Sequence, residues 1–581
     1  MTSMLDRTPT EVSDQSHVVK MVESRRPGRL SRIMTNKAAL FLIPGILLYL
    51  YVFVYPLVLI VMRSFNVDGS PGFNPAGWTI EHYAAVLTDR AFWIMLGNTL
   101  RIAVISTGLS ALISYPVAYF ISKAPPKIAN FAMVAIMLPF FVSTVVRIYA
   151  LAQILQPIGL YRTLGGSVLG MMMYLLPFMI VPIYASMRGI GDEITQAART
   201  LGASPWKAFV RTYFPLTRTS FISTVLFGFV LSFGFYLIPA TLGDVKDIVI
   251  THYLEQQILG YRWGIAGAMA VLLLIVTLGI FATAAKSMTA NNAVGGVTGS
   301  QKGTSARKFA WTPGMIAMGV LTLLVALYML LPLAAVVWVS FTEQSYVQFP
   351  PTGYSLRWYE EVFRDPSWLK SAGLSLQIAS LSAIAATILG LATAYGLTRG
   401  ARRMASGLQV FFYTPVIVPG VLLGTAVFGL VLQLRINGTL LGFVLAHMVL
   451  LLPFTTLILT AAMRGTSQTN ELAARTLGAS PWKAFLRVTL PGIATSIAVG
   501  ALVSFLMSLD EPVISMLVST TSEPISVKYF MALRRLVRPD LAAVGTLWLL
   551  AFAVLGVVFL IVKKAIAAKN NKIRSQLGED N

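Results

Sequence analysis

Apolar runs of roughly 20 residues recur along this chain between short polar stretches, and each is long enough to cross a bilayer as a helix. Twelve are read, at about 39–62, 96–121, 131–154, 165–187, 220–242, 265–285, 311–340, 374–397, 407–432, 438–462, 493–519 and 541–562. The runs are continuous. They lack the alternation over about ten residues that marks a membrane β-barrel strand. Backbone polar groups in lipid must be satisfied within the segment, so the pattern predicts helices. The expected fold class is an all-α membrane protein with about 12 transmembrane helices.

The polar stretches hold a second pattern. Ala197 to Phe209 reads AARTLGASPWKAF, and Ala473 to Phe485 reads the same thirteen residues 276 positions later. The offset holds well outside the string: Tyr119 matches Tyr395, Pro139 matches Pro415, Pro177 matches Pro453, Arg188 matches Arg464, and Ser232 matches Ser508. The chain is two homologous halves in tandem. Each half has an even number of spans, so both face the same way and should be related by a pseudo-two-fold axis along the membrane normal. The best-kept segment is a polar loop in a mostly apolar chain. Loops drift more readily than cores, so the match points to a shared partner.

Composition agrees with the membrane reading: 56% of residues are hydrophobic and 12% charged, where a soluble domain carries about a quarter charged. Charge then sets the orientation. With the N-terminus in the cytoplasm and one crossing per span, roughly two-thirds of Lys and Arg fall on the cytoplasmic side, as the positive-inside bias requires. The net charge of +22 is thus a topology signal, and no basic patch with interleaved aromatics suggests nucleic acid. Residues 1–37 are too long and too acidic at the start for a signal-peptide n-region. They are expected to form a disordered cytoplasmic tail before an uncleaved first span. The stretch 286–312 is rich in Gly, Ser, Thr and Asn and reads as a flexible cytoplasmic linker. With it, the chain divides into a first helix and periplasmic loop at 38–94, a first membrane domain at 95–285, a second helix and loop at 313–370, a second domain at 371–562, and a C-terminal cytoplasmic tail at 563–581. The chain has no cysteine, and its four histidines show no metal-ligand spacing.

Within each repeated loop, helix formers run from Glu193 to Leu201 and from Asn470 to Leu477. Gly202 and Gly478 stand where a left-handed C-terminal cap belongs. Ser204-Pro205 and Ser480-Pro481 then restart a helix, with Ser at N-cap and Pro at N1. The product is a helix, a sharp elbow and a short second helix. Ala197, Ala198 and Ala203, with Ala473, Ala474 and Ala479, offer small side chains for close approach, and Arg199 and Arg475 offer charge-assisted hydrogen bonds. An elbow that merely anchors two spans would not need two identical copies.

These residues resemble the EAA loop of the permease subunits of binding-protein-dependent ABC importers. The second copy reads Glu471-Leu472-Ala473-Ala474, then Gly478, then Leu490-Pro491; the first reads Gln196-Ala197-Ala198, then Gly202, then Phe214-Pro215. The Glu directly before the two alanines is replaced by Gln196 and Leu472. The resemblance implies two MetI-like permease domains whose loops are coupling helices, each docking on a cytoplasmic ABC ATPase. Two ATPase copies and a periplasmic solute-binding protein are the implied partners. No G-x-x-x-x-G-K-[ST] phosphate loop occurs, so no cofactor is expected in this chain, and ATP and Mg belong to the ATPase subunits. The chain itself is not expected to be an enzyme. The localisation implied is the bacterial inner membrane, multi-pass, with both termini cytoplasmic.

Ionisable residues in or beside spans are costly and are substrate-pathway candidates by default. Arg101, Arg147, Asp510 and Glu511 qualify, and Tyr149 adjoins Arg147. The repeat partners of the four charges are Gln377, Leu423, Gly234 and Phe235, so the charges are specific to one half, as suits a single asymmetric site. The stretches Val146-Arg147-Ile148-Tyr149 and Leu237 to Gly243 resemble the first permease of spermidine/putrescine importers. Ser508 to Ser515 and Ile525 to Arg535 resemble the second. That resemblance implies a polyamine, an opine or a related amino compound as the small hydrophilic substrate. Ferric-iron and aminophosphonate importers share the plan and stay open as alternatives. A secondary transporter of twelve spans in two parallel halves is more remote, since it has no use for two coupling elbows.

Overall fold

The computed structural model describes residues 38–69, 77–188, 190–292, 311–400, 405–466 and 468–576. The expected N-terminal tail and most of the expected linker lie outside them. In the first half the helices are α1 (Leu40–Phe65), α2 (Glu81–Thr88), α3 (Arg90–Lys123), α4 (Pro126–Met137), α5 (Thr144–Leu155), α6 (Leu164–Arg188), α7 (Asp192–Thr200), α8 (Pro205–Phe233), α9 (Leu237–Leu242), α10 (Ile250–Leu259) and α11 (Trp263–Asn292). The second half repeats them as α12 (Pro313–Val339), α13 (Arg357–Arg364), α14 (Pro366–Tyr395), α15 (Ala405–Tyr413), α16 (Gly420–Gln433), α17 (Leu440–Gly465), α18 (Gln468–Thr476), α19 (Pro481–Gly492), α20 (Ala494–Leu509), α21 (Val513–Val518), α22 (Ile525–Arg535) and α23 (Pro539–Gln576). No strand occurs among the described residues. Two isolated bridges, Asn66 with Trp78 and Thr342 with Tyr354, stand at the same 276-residue offset.

Nine described helices are long and apolar enough to cross a bilayer unbroken, and three bent pairs raise the number to 12. The runs expected at 131–154 and 407–432 are therefore not single straight helices. Pro139 and Pro415 each stand second in a short 3-10 turn, and the chain then turns extended at Val142-Ser143 and at Pro419 before a new helix begins. The second pair is bent by 94°. The run expected at 220–242 breaks too: α8 stops at Phe233, and α9 is a separate short helix. The halves differ at one joint. Both carry a proline inside the helix after the elbow, Pro215 in α8 and Pro491 in α19, but in the second half Gly492 follows it, and the helix kinks by 71° into α20. A Pro-Gly pair loses a backbone donor and gains a residue of free conformation, and it kinks a helix readily. Leu216 stands at the glycine's position in the first half, where α8 runs on. At the expected start of the linker, α11 continues to Asn292.

Small residues set the packing. α3, which packs on α6 and α8, buries Ala103, Ser106, Ser110, Ala111, Ser114 and Ala118. The face of α14 that meets α17 buries Ala379, Ser382, Ala383, Ala386, Gly390 and Ala394. Lipid chains are as apolar as leucine, so close backbone approach drives such contacts. The leading helix of each half crosses to the other half. α1 packs on α14 and α16, with Tyr49 donating to the Phe412 carbonyl at 3.0 Å. α12 packs on α3, α4 and α5. The two halves are thereby interlocked, and one buried apolar core draws on both.

Candidate functional site: two elbows and an interdomain cap

Each elbow closes as a Schellman motif. Gly202 has φ +88° and Gly478 φ +91°. Gly202 N–H donates to the Arg199 carbonyl and Ala203 N–H to the Ala198 carbonyl, both at 3.0 Å; the counterparts are Gly478 to Arg475 at 3.1 Å and Ala479 to Ala474 at 3.0 Å. These bonds satisfy the last carbonyls of α7 and α18. Ser204 Oγ then accepts from Lys207 N–H at 3.3 Å, and Ser480 Oγ from Lys483 N–H at the same distance.

Aromatic side chains fix the elbows to the membrane helices. Trp206 stacks on Phe209 with centroids 5.9 Å apart, and Phe209 meets Tyr119 of α3 edge-on at 5.7 Å. In the second half Trp482 stacks on Phe485 at 5.6 Å, and Phe485 meets Tyr395 of α14 at 5.0 Å. The outward surface is apolar as well as polar. Leu201 and Leu477 are 88% and 89% exposed, and Trp206 and Trp482 are exposed beside them. Ala197, Arg199 and Ala473 are also exposed, while Ala198, Ala203, Ala474, Arg475 and Ala479 are half-buried against the turn.

One elbow carries a tether that the sequence reading did not single out. Glu471 is buried and accepts from Thr489 Oγ1 at 3.1 Å and from the Tyr395 hydroxyl at 3.4 Å. Arg399 Nε lies 3.4 Å from Oε2, the oxygen Thr489 also reaches, an ion pair without good hydrogen-bond geometry. Thr195 stands at the same position in the first elbow, so no carboxylate is available there.

The charged candidates divide. Asp510, at the end of α20, reaches across to the start of α5. Its Oδ1 accepts from Ser143 Oγ at 2.6 Å and from Thr144 N–H at 2.8 Å, and its Oδ2 accepts from Thr144 Oγ1 at 2.8 Å. Arg147, one turn along α5, donates to Thr144 Oγ1 at 2.8 Å. A carboxylate at a helix N-terminus meets unpaired N–H groups and the positive end of the macrodipole. Glu511 points elsewhere, accepting from Val513 and Ile514 N–H at 2.9 Å at the start of α21. Beside Arg147 lies a cavity of about 10 Å³, lined by Thr144, Ile148, Gly170, Met173, Tyr174 and Ile238. Such a volume holds one water at most.

Two candidates lie apart from this cluster. Arg101 is half-exposed on α3 and pairs with Asp247 in the loop before α10. Tyr149 is buried, packs edge-on against Tyr529 with centroids 6.0 Å apart, and donates to the Arg538 carbonyl at 2.8 Å. A hub missed in the sequence is His447 on α17. It is buried, with Nδ1 2.6 Å from Ser508 Oγ and Nε2 2.9 Å from Ser515 Oγ, and it joins α17 to α20 and α21. A lone histidine in an apolar run gave no signal of those partners.

The pseudo-symmetry explains why Asp510 has no acidic counterpart. The equivalent of Asp510 is Gly234, and the equivalent of Ser143 is Pro419. A Cβ added at Gly234 would stand 2.9 Å from Pro419 Cβ and 3.1 Å from its Cα. One face of the interface is thus a polar cap, and the other is a close backbone approach that admits no side chain.

Comparison with known proteins places this architecture. The family described as "Binding-protein-dependent transport system inner membrane component" matches residues 110–288 and 386–572. The spermidine/putrescine transport system permease protein PotB of Salmonella typhimurium is 28% identical over 261 residues, which are 42% of this chain and 91% of the relative. The putrescine transport system permease protein PotI of Escherichia coli is 34% identical over 216 residues, 36% of this chain and 76% of the relative. A solved bacterial ABC transporter involved in alginate import aligns at 19% identity and a TM-score of 0.34, over 48% of this chain and 99% of that one. The chain belongs to the family of binding-protein-dependent transport system inner membrane components and carries its domain twice in tandem.

Proposed function

We propose that this chain is the complete membrane channel of an ABC importer, both permease halves in one polypeptide. It passes a small hydrophilic solute inward from a periplasmic binding protein, while two ATPase subunits seated at the elbows hydrolyse ATP with Mg. The observation that carries this reading is the pair of elbows. They are identical over thirteen residues, close with matching left-handed glycines, and leave leucine and tryptophan uncovered on one face. Monomeric soluble surfaces rarely leave such residues clustered without a partner. On this reading the elbow face is cytoplasmic, as the distribution of Lys and Arg requires, and both termini lie there.

The solute is a polyamine, an opine or a related amino compound. The names of the PotB and PotI relatives support that class. The test is reconstitution in proteoliposomes with a candidate ATPase and binding protein, followed by uptake of labelled putrescine, spermidine and octopine. ATP-dependent accumulation of one of them is expected. Accumulation driven by an ion gradient without ATP would overturn the importer reading.

A further inference from the structure

The face opposite the elbows carries a cluster in which both halves take part. That face is fixed by α3, whose Lys123 end meets the elbow aromatics through Tyr213, while its Asp89 N-cap accepts from the Tyr253 hydroxyl of α10 at 2.7 Å. The second half repeats the tether: Lys528 of α22 lies 3.7 Å from Asp365, the N-cap of α14. Helices α10 and α22 are therefore counterparts at the outer end, and they meet each other through Arg534.

The surroundings of Arg534 have the composition of a cation cage. Its guanidinium donates to the Tyr236 hydroxyl at 3.0 Å, to Glu255 Oε1 at 3.3 Å and to His252 Nε2 at 3.1 Å. Phe530 presents its ring 5.7 Å from the guanidinium carbon and meets Tyr236 edge-on with centroids 5.9 Å apart. Glu255 is 3% exposed. Its Oε2 lies 3.6 Å from His252 Nε2 and has no hydrogen-bond donor among the described residues. Burial lowers the His252 imidazole below its ordinary value, against the pull of Glu255 and with the push of Arg534. The neutral ring leaves Nε2 free to accept. Carboxylate, aromatic faces and a neutral acceptor around one cation are the groups that hold an ammonium or guanidinium group. Tyr236 is also the N-cap of α9, and two residues on, Ile238 lines the small cavity beside Arg147.

We propose that Glu255, Tyr236, His252 and Phe530 form an outer cation site on the solute path, closed by the chain's own Arg534, which a cationic group of the incoming solute displaces. The site rests on the importer reading, but its test does not use transport. The chain has no cysteine, so Ile238→Cys, or Met173→Cys on the far wall of the cavity, supplies one reporter thiol. The full chain in sealed, right-side-out membranes is treated from outside with a cationic and an anionic impermeant methanethiosulfonate.

With Arg534 present, labelling should be slow for both reagents. Arg534→Ala should raise the rate about tenfold or more, the size of one charged hydrogen bond, and should favour the cationic reagent. Adding Glu255→Gln should abolish that preference while access remains. The swapped pair Arg534→Glu with Glu255→Arg should restore protection. A thiol at Leu459, buried near the elbow of the second half, must stay unlabelled throughout, which separates opening of the outer end from general unfolding. Unchanged labelling in Arg534→Ala overturns the proposal, and so does faster labelling with no charge preference for Glu255 to remove. Accumulation driven by an ion gradient without ATP in the reconstitution, with these rates as expected, would remove the importer reading and leave the cation site standing.

Discussion

Asp510 of the second half caps the helix that Thr144 begins in the first half, taking that residue's backbone N–H and its hydroxyl at 2.8 Å each. The two residues are 366 positions apart in the chain, and the bond is one of several polar links between the halves, with Tyr149 to Arg538 and Arg534 to Tyr236 among the others. It couples the end of α20, which the second elbow leads into, to a half-helix of the first domain. A movement of one elbow therefore has a direct polar route to the opposite half.

Asp510→Asn keeps an acceptor for the Thr144 N–H but removes the charge from the helix end, and Asp510→Ala leaves that N–H without its partner. A charged hydrogen bond contributes about 1.5–3 kcal/mol, so a fall of roughly tenfold or more in uptake per inserted chain is expected for the alanine variant, with asparagine between it and wild type. Radiolabelled uptake normalised to membrane-inserted protein measures this. Wild-type rates in both variants would show that the cap takes no part in the transport cycle.

Gly234 tests the other side of the same interface. With a Cβ 2.9 Å from the Pro419 Cβ, Gly234→Ala forces the backbones of the two halves apart. Overpacking of this kind costs about 1–3 kcal/mol. The purified variant in detergent should unfold at a lower temperature than wild type. Gly279, where a Cβ meets open space, gives the control: Gly279→Ala should leave the melting temperature unchanged or slightly raised.

At the elbows the glycines act through backbone conformation alone, since no atom lies within 4 Å of a Cβ built on Gly202 or Gly478. The left-handed region costs an ordinary residue about 1–2 kcal/mol, and asparagine tolerates it better than β-branched residues do. Gly202→Asn should retain most of the stimulation of ATP hydrolysis by loaded binding protein, and Gly202→Val should lose most of it, with both chains inserted normally. Equal activity of the two variants would mean that the bend does not matter for coupling. The second elbow should tolerate Gly478→Val better, because Glu471 holds its helix to Thr489, Tyr395 and Arg399.

Much of this was legible in the sequence, for physical reasons. Continuous apolar runs can satisfy their backbones in lipid only as helices. The elbow is written in local chemistry, since Gly202 and Ser204-Pro205 act on neighbours within one turn. Contacts between distant segments were not legible. The faces of α3 and α14 that pack inward are lined with alanine and serine, while lipid-facing positions such as Leu112 and Ile388 are as apolar as any core residue. No amphipathic stripe marks the inside, and the partner of each face cannot be read. For the same reason the sequence does not separate Asp510 from its neighbour Glu511 among the pathway candidates, although one caps α5 and the other α21. Arg101 looked like a charge in a span, although Asp247 neutralises it from a loop.

On the proposed importer reading, the tandem architecture implies a stoichiometry. A permease with one elbow per chain needs two chains to engage two ATPases, whereas this chain carries both elbows. Its halves are already interlocked by the crossing of α1 onto α14 and of α12 onto α3 to α5. A second copy would have to displace those buried contacts, including the Tyr49 to Phe412 bond at 3.0 Å, to offer its own halves for pairing. Native mass spectrometry of the complex purified through this chain should therefore give one copy of it with two ATPase subunits. Trp206→Ala and Trp482→Ala each remove an exposed aromatic of the kind that dominates binding energy at interfaces. Either one should loosen a single ATPase and raise the share of one-to-one complexes, and the double variant should leave the chain alone. A complex with two copies of this chain would overturn the reading of the two halves as one self-sufficient channel.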